Sequence, residues 1–133
     1  ERRVLVVRTL PKEAVMVMGD RLRLEQVIIN LMRNAVDATR SANAPQIDIL
    51  LTQGDTVTLT LKDNGTGIAE IEKVFEPFYT SKKPGEGTGL GLAISSGIIA
   101  DHGGRLTAHN LPEGGAAFEI ALPVLALAGQ SAA

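Results

Sequence analysis

Residues 46–62 read QIDILLTQGDTVTLTLK, and this stretch decides the fold. Gln46 to Gln53 and Thr56 to Lys62 have strand character. The second run alternates Val57, Leu59 and Leu61 on one side with threonines on the other, the period of a half-buried strand. Gly54-Asp55 between them suits a two-residue hairpin turn. A hairpin makes its strands antiparallel, so the sheet is expected to be antiparallel or mixed, not the wholly parallel sheet of βαβ folds.

Upstream, residues 20–40 contain no Gly or Pro. Asp20 is a plausible N-cap, and Leu24, Ile28, Leu31, Ala35 and Ala38 recur at helical spacing, which predicts one long helix. Val4 to Val7 and Val15 to Met18 are short β-prone runs around a turn at Pro11, expected to pair or to lie on neighbouring sheet edges. Downstream, Ala69 to Val74 reads as a short helical stretch, and FEPFYTSKKPGEG as a loop. Leu90 to His102 reads as a second helix closed by Gly103-Gly104. Arg105 to Asn110 and Ala117 to Leu122 form a last strand pair around PEGG. The expectation is an α+β fold, a two-layer α/β sandwich with a mixed sheet of about five strands against about three helices. Residues 1–124 form its single domain and 125–133 a flexible tail.

A net charge of −2 gives no general attraction to nucleic acid or anionic membrane, so a polyanion would need a local site. The absence of cysteine excludes disulfides, thiolate metal sites and cysteine nucleophiles. No apolar run approaches the ~18 residues of a membrane span. The chain opens ERRVLVV without Met and reads as a piece of a longer protein.

On a helical wheel of about 100° per residue, Arg23, Gln26, Asn30, Asn34 and Asp37 fall within roughly 40° of one line. Solvated faces usually carry Lys and Glu, whereas asparagines between apolar neighbours suit a cleft; an exposed, asparagine-rich face is the plainer alternative. A carboxamide oxygen can ligate a hard cation such as Mg²⁺ without adding charge, which suits a place where phosphates already supply it. Directly after a strand, Asp63-Asn64-Gly65-Thr66-Gly67-Ile68 could turn tightly and leave room for a flat ligand, with Asp63 accepting from a ring N–H or exocyclic amine; a plain Asp-Asn-Gly turn is the other reading.

Gly85, Gly87, Gly89 and Gly91 alternate into a helix whose N-terminal N–H groups suit phosphate, or they form a mere flexible connector. Neither GxGxxG in a βαβ unit nor GxxxxGK[ST] occurs. Phe75, Phe78 and Tyr79 around Pro77 suggest a hydrophobic latch for a lid over Ser81 to Glu86, or an ordinary minicore under a loop. Lys82 and Lys83 could reach a terminal phosphate from that loop. His102, in a final helical turn, is expected to cap carbonyls, and His109, on a strand, to be exposed.

NLMRNAVDA, DNGTGI, FEPFYTSK and GEGTGLGLAIS stand in the order and spacing of the N, G1, F and G2 boxes of sensor histidine kinases. Over roughly residues 4 to 124 the chain resembles their catalytic ATP-binding domain, of the Bergerat-type superfamily shared with gyrase, Hsp90 and MutL. FEPFYTSKKPGEGTGLGLAIS is most similar to nitrogen-regulation and C4-dicarboxylate-transport sensors. The resemblance implies ATP and Mg²⁺ as cofactors, with Asn34 on the metal and Asn30 near the phosphates. Asp63 would recognise the adenine amino group, and Gly65 and Gly67 would make room for the base beside Ile68. Gly87, Thr88, Gly89, Leu90 and Gly91 would hold phosphates, with Tyr79 and Lys82 in a lid from Tyr79 to Thr88. Asp37 stands where many relatives carry Lys, Arg or Tyr.

Hydrolytic relatives carry Glu at the position of Asn30, and Asn cannot act as a general base, so intrinsic ATP hydrolysis is expected to be negligible. Neither histidine stands in a phosphoacceptor context. The implied partners are a histidine-bearing dimerisation domain of the same protein and a response regulator. No nucleic acid and no direct membrane contact are expected, and the implied location is the cytoplasmic part of a membrane-anchored kinase. A conformational ATPase of the gyrase or Hsp90 type, a binding-only nucleotide module and a serine kinase are the alternatives.

Overall fold

The computed structural model describes residues 3–79 and 91–124. The elements are β1 (Leu5–Thr9), α1 (Arg21–Ala38), β2 (Gln46–Gln53), β3 (Thr56–Asp63), a 3-10 turn (Ile71–Lys73), α2 (Gly91–Asp101), β4 (Arg105–Asn110) and β5 (Ala116–Pro123). The strands form one sheet in the order β1-β2-β3-β5-β4. β1 runs parallel to β2 and every other pair is antiparallel, so the sheet is mixed, as expected. Among the described residues, Ala69 to Val74 yields only the 3-10 turn, because so short a segment cannot offset the cost of helix nucleation.

Side-chain alternation sorts the sheet into two faces. Ile49, Leu61 and Phe118 are cross-strand neighbours on one face, as are Leu59, Ile120 and Leu106. This face meets Val27 and Leu31 of α1 and Ile98 and Ile99 of α2 in a single core, and each fully buried aliphatic there contributes about 1.5–3 kcal/mol. The opposite face carries Thr58, Lys62, Thr107 and Glu119 and has no helix among the described residues. The result is the two-layer sandwich.

Three local expectations are corrected. Val15 to Met18 forms no strand; Val15 and Val17 turn inward, Val17 against the core, while Met16 and Met18 face out, so packing alone produces the alternation. The β2–β3 hairpin pairs Gln53 with Val57, leaving three residues in the turn instead of two. Two-residue hairpin turns need positive φ at the first turn position, and Gly54 does not adopt it. On α1 the buried line runs through Val27, at 0% exposure, while Ile28 is 41% exposed. α1 packs against both β3 and α2, which rotates its buried arc toward Val27.

α1 starts where Asp20 accepts hydrogen bonds from the N–H groups of Leu22 and Arg23, at 3.0 and 3.3 Å. α2 ends in a Schellman arrangement, with the Gly103 N–H donating to Ala100 O and the Gly104 N–H to Ile99 O. His102 joins these two helix ends. Its Nδ1 lies 2.7 Å from Ile98 O, the carbonyl contact expected of it, and its Nε2 accepts from the Asp20 N–H at 3.0 Å. With Nε2 accepting, Nδ1 is the ring nitrogen that donates to the Ile98 carbonyl. His102→Ala removes both bonds, so it is expected to cost about 1–3 kcal/mol, read as a lower urea midpoint with an unchanged m value.

Candidate functional site

The polar face of α1 connects two separate structures. At its C-terminal end, Gly65 lies so close that a Cβ there would sit 2.1 Å from Ala38 O, and the Thr66 N–H donates to that same carbonyl. At the other end, a Cβ on Gly91, the first residue of α2, would sit 4.0 Å from Asn30 Cγ. Asn30, Asn34 and Ala38 follow one another at single-turn intervals, so about 12 Å of helix separates the loop 63–68 from the α2 N-terminus. The three sequence-predicted features are thereby gathered along one face. The missing Cβ of Gly65 allows helix and loop backbones to touch.

Asp63, the last residue of β3, is 5% exposed. Its Oδ1 accepts from the Gly65 N–H at 2.9 Å and the Ala116 N–H at 3.3 Å. None of the described residues bonds Oδ2, and no buried side-chain polar atom among them lacks a partner, so Oδ2 reaches the surface. Burial pushes the carboxyl above its ordinary value of 3.8, and the two backbone donors offset part of that rise. A carboxylate held by its neighbours through one oxygen, with the other presented outward, suits recognition of a ligand N–H.

Side chains that the sequence did not single out hold the loop. Asn64 accepts from the Gln46 N–H at 2.9 Å and donates to Ala44 O at 2.8 Å, tying the loop to the start of β2. Asn110 accepts from the Ile68 N–H at 2.7 Å and donates to Ile68 O at 2.9 Å. Gly115 brings the β4–β5 turn against Asp63, where a Cβ would meet Asp63 O at 1.9 Å. Only the paired glycines of PEGG gave a local signal of such an approach; the asparagine contacts span 18 or more positions and leave none.

The remaining candidates divide. Asn30 donates to Oγ of the fully buried Ser95 at 3.2 Å, which ties the polar face to α2. Asn34 is half-buried, and no described residue hydrogen-bonds its carboxamide. Asp37 forms an ion pair with Arg40 at 3.2 Å. Phe75 stacks edge-on against Phe118 at 6.3 Å, and Tyr79 packs on the core, but Phe78 is 73% exposed and takes no part in the expected latch. Its φ of 67° lies in the left-handed region, uncommon for a residue other than glycine. Lys82, Lys83, Gly85, Gly87, Thr88, Gly89, Leu90, the lid beyond Tyr79 and the tail 125–133 lie outside the described residues.

Among the described residues no group of three or more His, Cys, Asp or Glu could hold a metal ion. A cation at Asn34 would therefore take one neutral protein oxygen and most of its ligands from an anionic ligand or water. That donor set fits Mg²⁺ travelling with phosphate. The described helices include none long and apolar enough to cross a membrane.

Comparison with known proteins gives the same picture. The family described as "Histidine kinase-, DNA gyrase B-, and HSP90-like ATPase" matches residues 19–126. The C4-dicarboxylate transport sensor protein DctB of Rhizobium meliloti is 42% identical over 108 residues, which is 79% of this chain and 17% of that protein. The chain spans a quarter or less of the length of the curated relatives it matches. Among solved structures, the mycobacterial sensor histidine kinase MprB superposes with a TM-score of 0.80 at 30% identity, covering 93% of this chain and 84% of that one. Full-length ShkA in complex with AMPPNP superposes with a TM-score of 0.78 at 26% identity, covering 95% of this chain and 27% of that one. The chain belongs to the histidine kinase-, gyrase B- and HSP90-like ATPases, as an ATP-binding domain of the sensor histidine kinase type.

Proposed function

We propose that this domain binds ATP with Mg²⁺ and donates the γ-phosphoryl group to a histidine on a dimerisation domain, from which it passes to an aspartate of a response regulator. The supporting observation is the polar face of α1, with a base-recognising carboxylate at one end and a helix N-terminus at the other, about 12 Å apart. Adenine would lie at Asp63, its exocyclic amine donating to Oδ2. The phosphates would lie between Asn30 and the first N–H groups of α2, where the helix dipole favours negative charge. Asn34, between the two, would ligate Mg²⁺, which when bound neutralises charge developing on the transferred group.

In the transfer, an imidazole nitrogen of the partner bonds to the γ-phosphorus as the bond to the bridging oxygen of ADP breaks. The chain's own residues position and neutralise; none of the described ones is proposed to activate a nucleophile. Asn30 cannot deprotonate water, and its amide is already engaged by Ser95. His102 is held between two helix ends, and His109 lies exposed on β4, so the receiving histidine belongs to another domain. The domain itself would work in the cytoplasm, as part of a membrane-anchored kinase.

Titration calorimetry with AMPPNP, with and without Mg²⁺, tests the reading. Wild type is expected to bind saturably and more tightly with Mg²⁺. Asn34→Ala should abolish most of the Mg²⁺-dependent gain while leaving the Mg²⁺-free affinity within about twofold. No binding at millimolar nucleotide would make the domain a degenerate module.

A further inference from the structure

We propose that Asn110 is a positioning residue for base recognition: its carboxamide clamps the backbone of Ile68 and thereby fixes the loop that begins at Asp63. The role rests on the MgATP reading above and adds to it a residue on the far edge of the sheet. Residues 64–68 belong to no helix or strand, so their backbone groups have no ladder to hold them. Asn110 supplies the missing partners at Ile68, taking its N–H at Oδ1 and its carbonyl at Nδ2, as a neighbouring strand would. It also lies against the preceding glycine, since a Cβ on Gly67 would sit 3.0 Å from Asn110 Oδ1.

The chemistry of the clamp is specific to a carboxamide of this length. Asp offers acceptors only and would face the Ile68 carbonyl with like charge; Ser can serve one partner; Gln carries an extra methylene. Both amide atoms bond to groups of opposite polarity, so the orientation of the carboxamide is determined. Removing it strands an N–H and a C=O of a loop that begins at the base-recognising carboxylate, while Asn30 and the α2 N-terminus remain untouched at the other end of α1. The defect should therefore fall on the base and spare the phosphates.

Amide hydrogen exchange on labelled protein, combined with calorimetry using AMPPNP and GMPPNP, tests this. In Asn110→Ala, exchange at Ile68 should accelerate at least tenfold with β3 and β5 amides unchanged, AMPPNP should bind about tenfold more weakly, and GMPPNP should change less. Asn110→Ser, which keeps one partner, should fall between. Unchanged exchange at Ile68, or faster exchange with unaltered AMPPNP affinity, overturns the proposal. Acceleration spread equally over β3 and β5 assigns Asn110 to general stability and overturns it too. A wild type with a protected Ile68 but no affinity for either nucleotide refutes the MgATP reading, and the base-positioning role falls with it.

Discussion

Asp63→Asn is expected to weaken AMPPNP binding by on the order of 10- to 100-fold while leaving the nucleotide-free domain as stable at pH 7 as the wild type, or more so. Two effects of one carboxylate separate here. Oδ1 serves the fold by accepting from Gly65 and Ala116, and the carboxamide oxygen of Asn can keep both bonds. On the proposed reading Oδ2 serves the ligand; Asn would place an N–H₂ there, against an incoming amine, and forfeit a charge-assisted bond worth about 1.5–3 kcal/mol. Neutralising the group also removes the cost of burying a charge.

The pH dependence follows from the raised pKa of this acid. The folded protein holds the Asp63 proton more tightly than the unfolded chain, so the protonated form stabilises the fold fully below the ordinary value of 3.8. That contribution is lost as pH rises through the raised folded value. The stability advantage of Asp63→Asn over wild type should therefore widen as pH increases above 3.8 and then level off, read from urea melts between pH 3 and 7. A variant that is less stable than wild type throughout, or that binds AMPPNP equally well, would contradict this division of labour.

Gly115→Ala is expected to be among the most destabilising single substitutions in the domain, costing on the order of 3 kcal/mol or more. Its φ of 91° already disfavours any L side chain, and the new Cβ would stand 1.9 Å from Asp63 O, a backbone atom that cannot swing aside. The neighbouring Gly114 provides the control. It has a φ of 108°, yet a Cβ there meets nothing within 4 Å. Gly114→Ala should carry only the conformational cost, about 1–2 kcal/mol. Chemical denaturation of both variants measures the difference between them, which isolates the contact with Asp63. Equal losses at the two positions would mean that the strand end yields to the intruding atom.

Strands β2 to β5 and both α-helices were legible within about a residue or two, because their periodicity and end signals are local properties of the chain. Val15 to Met18 misled because alternation records which side chains are buried, not whether the backbone finds a partner strand. Val27 and not Ile28 lies on the buried line because the buried arc of α1 is set by β3 and α2, of which α2 lies more than 60 positions away. The candidate site divides on the same ground. Asp63, Asn30 and Asn34 stand in compact motifs; Asn110, Asn64 and Gly115 act through contacts between distant segments, and nothing in their own neighbourhoods distinguishes an asparagine that holds a loop from one that meets water.

The sheet order β3-β5-β4 has a consequence for the birth of this domain. Asp63 is made midway through the chain, but the Ala116 amide that completes its setting and the turn that covers it belong to the last hairpin. During synthesis from the N-terminus, the segment bearing Asp63 emerges well before β5 inserts beside β3. The hydrogen-bond setting of the Asp63 carboxylate is thus incomplete until the β4–β5 hairpin has docked. On the proposed reading, this topology makes the competence to bind and the docking of that hairpin a single late event.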